Sequence, residues 1–172
     1  MVKRVLASHP EIEVLVNNAG LYQAVSFEEV SFVGYQRMQA VNIEAPFFLT
    51  QGLLPALRGS GKGCVINITD SAVVRPYGGY APYFVSKAAL EALTRVLAIE
   101  LAPAVRVNGV APGTVAFPPG FDQEVQSSIR RAIPMGEIGS EDDIAEAVLY
   151  LVKSATFTTG QILRVDGGRS VA

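Results

Sequence analysis

The stretch CVINITDSAVVRPYGGYAPYFVSKAALEALTRVLAIEL, residues 64–101, places an apolar run, a polar loop and a long helical pattern in succession. Cys64–Thr69 is almost continuously apolar, as expected of a strand buried on both faces. Ser71–Tyr80 carries proline and paired glycines and reads as a loop. Pro82 suits a first helical turn, so a helix is expected from near Ala81 to about Leu101. A buried strand feeding a helix is one unit of an alternating α/β sheet.

The same alternation extends in both directions. Upstream, Glu13–Asn17 reads as a strand ending in the turn Asn17-Asn18-Ala19-Gly20. A helical stretch follows over Phe27–Gln39, continuing or restarting toward Leu57, and Gly59–Gly63 is a connecting loop without the spacing of a phosphate-binding turn. Downstream, Val105–Val110 is a strand, Ala111–Gly120 a Pro/Gly loop and Asp122–Ala132 a short helix. Ser140-Glu141-Asp142-Asp143 resembles a capping box opening a helix to Val152, and Gln161–Val165 is a last strand. Apolar strands separated by helices predict a parallel sheet covered on both faces, in one domain over residues 1–172. Ligands of such sheets sit beyond the carboxyl ends of the strands. That directs attention to Asn17–Gly20, Asp70–Ser71 and Ala111–Val115.

Composition narrows the classes. The 172 residues are 49% hydrophobic with a net charge of −2, which gives no electrostatic footprint for nucleic acid or an acidic membrane. No apolar run reaches the length of a membrane span. One cysteine, Cys64, suits a reducing cytosol, and a cytoplasmic domain is expected. One histidine, His9, in a frayed amphipathic segment (Met1–Pro10), leaves neither a metal site nor a hydrolytic triad, and no G-x-S-x-G elbow occurs.

Tyr83 and Lys87 stand four residues apart near a helix start and share a face. A phenol, with an ordinary pKa of about 10, becomes a usable proton donor if a neighbouring ammonium lowers that value. The alternative places Lys87 in a solvated stripe with Glu91 and Arg95. Asn42 precedes Pro46 by four residues; the proline has no N–H for the Asn42 carbonyl, which is left free for water, or simply marks a kink.

In order along the chain, Asn17-Asn18-Ala19-Gly20, Asn42, Asn67-Ile68-Thr69-Asp70, Tyr83-x-x-x-Lys87, Pro112-Gly113-Thr114 and Asp166-Gly167-Gly168 together resemble the short-chain dehydrogenase/reductase family. The resemblance runs from about residue 11 to 170 and implies a Rossmann-like, doubly wound parallel sheet using NAD(H) or NADP(H). It implies Tyr83 as the catalytic acid/base, and Lys87 as the group that tunes it and holds the nicotinamide ribose. It implies Asn42 in a water-bridged proton relay. Asn17, Ala19 and Gly20 would lie against the adenine-side ribose, and Pro112, Gly113, Thr114 and Val115 would hold the carboxamide. Asp166-Gly167-Gly168 resembles a structural signature. The family pairs the helices corresponding to Gly34–Leu57 and Pro82–Leu101 across a two-fold axis, so a homo-oligomer, dimer or tetramer, is expected.

Two departures stand out. Thirteen residues before the tyrosine most family members carry serine; here Asp70 stands there, with Ser71 adjacent. Asp at that place is similar to the pteridine reductases, which implies C=N reduction in a pterin-like substrate with NADP(H) favoured. A ketone or alcohol substrate is the alternative. A carboxyl can accept from an amino group or, protonated, donate to a ring nitrogen; Asp70 could instead only satisfy loop amides, leaving Ser71 to serve. Second, no G-x-G-x-x-G turn at a helix start is present for the pyrophosphate. Glu13–Asn17 resembles the family's fourth strand, so about four of the usual seven strands are expected. An engineered truncation, a mis-set start codon and a shortened protein would all read this way, the last allowing a cofactor-less binding or scaffold subunit. Val14–Asn17 would then be an open apolar edge.

Overall fold

Four parallel strands in the order β1-β2-β3-β4 form the sheet of the computed structural model, which describes residues 1–118 and 120–172. Pro119, within the expected Ala111–Gly120 loop, lies outside them. The strands are β1 (Val14–Asn17), β2 (Gly63–Ile68), β3 (Val105–Pro112) and β4 (Ile162–Val165). β2 pairs with β1 (Val14 opposite Cys64) and with β3 (Cys64 opposite Arg106), which buries all six of its residues. An apolar run with no alternation is what that central position selects.

The helices are α1 (Val2–Ser8), α2 (Phe32–Gln39), α3 (Ala45–Gly59), α4 (Ala81–Glu100), α5 (Gln123–Arg131) and α6 (Glu141–Lys153). Two cores result. Leu53, Leu57, Val65, Ala98, Leu101, Val105 and Val107 pack α3 and α4 onto one face of the sheet. Cys64, Ile66, Ile68, Val110 and Leu151 pack α6 onto the other. Each buried Leu, Ile or Val among them contributes roughly 1.5–3 kcal/mol. The doubly covered sheet is as the sequence implies.

Several boundaries differ from expectation. Residues 2–8 are helical rather than frayed, because Val2, Val5 and Leu6 rest on the first core. The helix expected from Phe27 begins instead at Phe32, where the Ser31 hydroxyl caps Gly34 N–H; Phe27–Glu29 is a single 3-10 turn. β3 runs through Pro112, since Ala111 and Pro112 pair with Arg164 and Val165. The Ser140–Asp143 capping box is present in both directions.

Candidate active site

β1 and β2 end side by side, and a buried polar ladder fixes them to α4. Asn17 Nδ2 donates to Asn67 Oδ1 at 2.8 Å, Asn67 Nδ2 donates to Thr94 Oγ1 at 2.9 Å, and Thr94 Oγ1 donates to Leu90 O at 2.8 Å. Strand ends and helix are thereby held in register. Asn17 is thus turned inward on this ladder, whereas Ala19 and Gly20 stay exposed beyond the strand end. Gly20 lies beside the polar side chains of the site. A Cβ there would sit 3.5 Å from both Asn42 Oδ1 and Lys87 Nζ.

The chain between α2 and α3 widens into a π turn, Ala40–Glu44, closed by Ala45 N–H on the Ala40 carbonyl. The expected disturbance ahead of Pro46 takes this form. It presents the Asn42 side chain, almost fully buried, to the turn after β1. Asn42 Oδ1 accepts from Leu21 N–H at 2.7 Å, while Nδ2 donates to Leu21 O at 3.0 Å and to Ser86 Oγ at 2.9 Å. A positioning role through the side chain is thereby added to the carbonyl argument from sequence. Ser86, which the sequence reading missed, links Asn42 to α4 and donates to Tyr83 O at 2.6 Å.

Asp70, not Ser71, faces the tyrosine. Tyr83 Oη donates to Asp70 Oδ2 at 2.6 Å, and Asp70 Oδ1 accepts Ala72 N–H at 2.7 Å, capping the 3-10 turn Ser71–Val74. One Asp70 oxygen satisfies the loop and the other meets Tyr83. Ser71 is buried.

Lys87 is 5% exposed and Glu91 4%, so the Lys87–Glu91–Arg95 stripe is not solvated. Only Arg95 reaches solvent, bound to Glu91 at 2.8 Å. Lys87 Nζ donates to Ile68 O at 2.8 Å and lies 5.9 Å from the Tyr83 ring centre. Burial pushes the Lys87 pKa down, opposed by the Asp70 charge. For Tyr83, burial and then the Asp70 charge and hydrogen bond push the phenol well above its ordinary value. The sequence expectation was the reverse. Lys87 is turned to a carbonyl while Asp70 is in direct contact, so burial, reinforced by the nearby negative charge, raises the value.

Pro112, Gly113, Thr114 and Val115 follow β3 into the same region. Gly113 must be glycine because a Cβ would come within 2.7 Å of Asp166 Cα, just past the end of the neighbouring strand β4. The Asp166-Gly167-Gly168 turn, with Asp166 accepting Gly168 and Ser170 N–H groups, has the structural role expected of it. A cavity of about 270 Å³ is walled by Tyr22, Asp70, Tyr77, Tyr83, Thr114 and Val115. Tyr77 was not anticipated; its hydroxyl meets that of Tyr22 at 2.9 Å, a contact 55 residues apart in sequence with no local signature. The donor set here fits the nicotinamide half of a dinucleotide: Tyr83 Oη and the two unused Lys87 N–H groups suit ribose hydroxyls. The pyrophosphate half has no counterpart among the described residues.

The chain matches the family model described as Enoyl-(Acyl carrier protein) reductase over residues 1–170. It is 37% identical over 175 residues to a Streptomyces violaceoruber protein whose name assigns it as ketoacyl reductase 2 of the granaticin polyketide synthase, covering 98% of this chain and 70% of that one. The ligand-free structure of Thermoplasma acidophilum aldohexose dehydrogenase superposes with a TM-score of 0.93 at 29% identity, over 99% of this chain and 72% of that one. A Brucella melitensis structure titled short-chain dehydrogenase/reductase, glucose/ribitol dehydrogenase, gives 0.89 at 31% identity, over 99% and 69%. With sheet order, ladder and site arranged as described, the chain belongs to the short-chain dehydrogenase/reductase family of oxidoreductases.

Proposed function

We propose that this chain carries the proton-transfer half of an NAD(P)(H)-dependent oxidoreductase of small carbonyl compounds or the corresponding alcohols. The observation that carries the reading is the Tyr83 hydroxyl, 2.6 Å from Asp70, at the wall of a cavity with Lys87 buried behind it. A nicotinamide held there by Tyr83 and Lys87 would supply the hydride chemistry at the carbonyl carbon. Tyr83 delivers the proton to the carbonyl oxygen in reduction and removes it in oxidation. Its raised pKa keeps the proton on the phenol until negative charge develops on the substrate oxygen. Lys87 supports the phenolate that follows, and its spare N–H groups orient the ribose. Asn42, through Leu21 and Ser86, fixes the turn against which Lys87 lies. Asn17, Ala19 and Gly20 form the strand-end turn for the adenine-side ribose, and Pro112–Val115 the segment for the carboxamide.

A second reading, reduction of C=N bonds in a pterin-like substrate with NADPH, draws support from Asp70 alone. The names of the relatives favour ketones and alcohols. Homo-oligomer formation through α3 and α4, and a cytoplasmic location, belong with either reading; no helix among the described residues is long and apolar enough to cross a membrane.

The test uses the chain placed behind a relative's Gly-rich cofactor segment, assayed with ketones, aldehydes and dihydropterin, as wild type and as Asp70→Ser. Ketone reduction that survives Asp70→Ser supports the first reading. Pterin turnover lost in Asp70→Ser establishes the second, and no activity with either class contradicts both.

A further inference from the structure

The geometry points to an anion-binding groove beside the catalytic cavity, formed by Arg75, Arg131 and Arg169, that holds a carboxylate or phosphate carried by the substrate. This deepens the carbonyl-oxidoreductase reading by naming the substrate's second feature, and it rests on that reading for the substrate's reactive end.

A second cavity, about 450 Å³, has Ser71, Ala72, Arg75, Arg131, Arg169 and Ser170 in its walls. Ser71, Ala72 and Arg169 also wall the cavity that holds Tyr83 and Asp70. The two spaces therefore adjoin across one row of residues, and a molecule seated at Tyr83 can extend into the arginine side. The three arginines come from separate parts of the chain: the loop after β2, the end of α5 and the C-terminal turn.

Their charges are not matched from within. Among the described residues no carboxylate, the terminal one included, lies within 4.0 Å of these guanidiniums; the ion pairs present are Lys62–Glu13 and Arg95–Glu91. Asp166, on the same turn as Arg169, is turned onto the Gly168 and Ser170 N–H groups instead. Arg75 Nη1 donates to Arg169 O at 3.4 Å, and Arg169 Nη1 donates to Thr114 Oγ1 at 3.0 Å. These contacts orient two of the guanidiniums and neutralise none of them. The Arg169 charge reaches the catalytic cavity, where it opposes the rise in the Tyr77 pKa caused chiefly by burial. Three guanidiniums around one cavity repel one another, and an anion removes that repulsion while accepting paired N–H bonds. The overall charge of −2 makes the concentration of positive charge at this one place selective.

The test is binding to the 172-residue chain, followed by NMR of the arginine side-chain N–H groups during titration with inorganic phosphate and, separately, succinate. It needs neither cofactor nor turnover. Saturable shifts at Arg131 and Arg169 with a Kd of about 1 mM are expected for at least one probe; which probe binds tells phosphate from carboxylate. Arg131→Gln, at an exposed helix end, is expected to weaken binding about tenfold, and Arg169→Gln likewise; Arg58→Gln and Tyr83→Phe leave it unchanged. Shifts spread equally over all arginines, or Arg131→Gln binding like wild type, would overturn the groove and leave the assignment of Tyr83 standing. Loss of activity in Tyr83→Phe bears on the catalytic reading alone.

Discussion

Tyr83 and Asp70 are thirteen residues apart in sequence and in hydrogen-bond contact in space. The contact was legible as a register: Asn67-Ile68-Thr69 fixes a strand end, Tyr83 a helix start, and Asp70 has to lie between them. Its electrostatic sense was not legible, because that depends on where the Lys87 ammonium points. Lys87 points at Ile68 O, so Asp70 and burial hold the Tyr83 proton on. The direction gives a pH prediction. Alcohol oxidation needs Tyr83 without its proton, so its rate rises with pH through the Tyr83 pKa, and a raised pKa moves that rise to higher pH. Asp70→Asn removes the negative charge that helps to raise it. The ascending limb of kcat/KM for oxidation, measured behind a relative's cofactor segment, is expected to move to lower pH in that variant. An unmoved limb would mean that Asp70 acts only on the loop.

At the level of elements, helices and strands were legible where apolar period and punctuation agreed, as in β2, α4 and the Ser140 cap. They were misjudged where the deciding partner lies far away. β3 continues through Pro112 because β4 pairs with it, and α1 exists because α3 offers it an apolar surface. The Asn17–Asn67–Thr94 ladder was visible only as three scattered polar residues, yet it joins two strands to α4. Asn67→Leu removes two buried hydrogen bonds, leaving Asn17 Nδ2 only its longer bond to Thr50 Oγ1 at 3.4 Å and Thr94 Oγ1 only its bond to Leu90 O. Each such loss costs roughly 1–3 kcal/mol. A fall in unfolding free energy of about 2 kcal/mol or more is expected by urea denaturation with an unchanged m-value. A loss below about 0.5 kcal/mol would show that the ladder is incidental to the fold.

For the whole molecule, the helices leave apolar side chains on the surface. The outward face of α4 is largely apolar: Lys87 and Glu91 are buried, whereas Val85 is 51% exposed, Val96 48% and Ile99 80%. On α3, Phe48 is 60% exposed. Such surface favours self-association, so sedimentation is expected to give a dimer or larger species. Phe48→Glu with Ile99→Asp is expected to shift it toward monomer; a monomeric wild type contradicts the expected interface. Val16, on edge strand β1, is also exposed and offers a second route to association. Calorimetry of the 172-residue chain is expected to show weak or no NAD(P)H binding, since backbone amides at a helix start normally hold the pyrophosphate. The most direct test of the central claim measures carbonyl reduction by this chain placed behind a relative's Gly-rich cofactor segment, as wild type and as Tyr83→Phe with matched melting curves. Loss of the proton donor is expected to lower kcat by about 100-fold or more. A Tyr83→Phe rate within about threefold of wild type would contradict the assignment of Tyr83 as the proton-transfer residue.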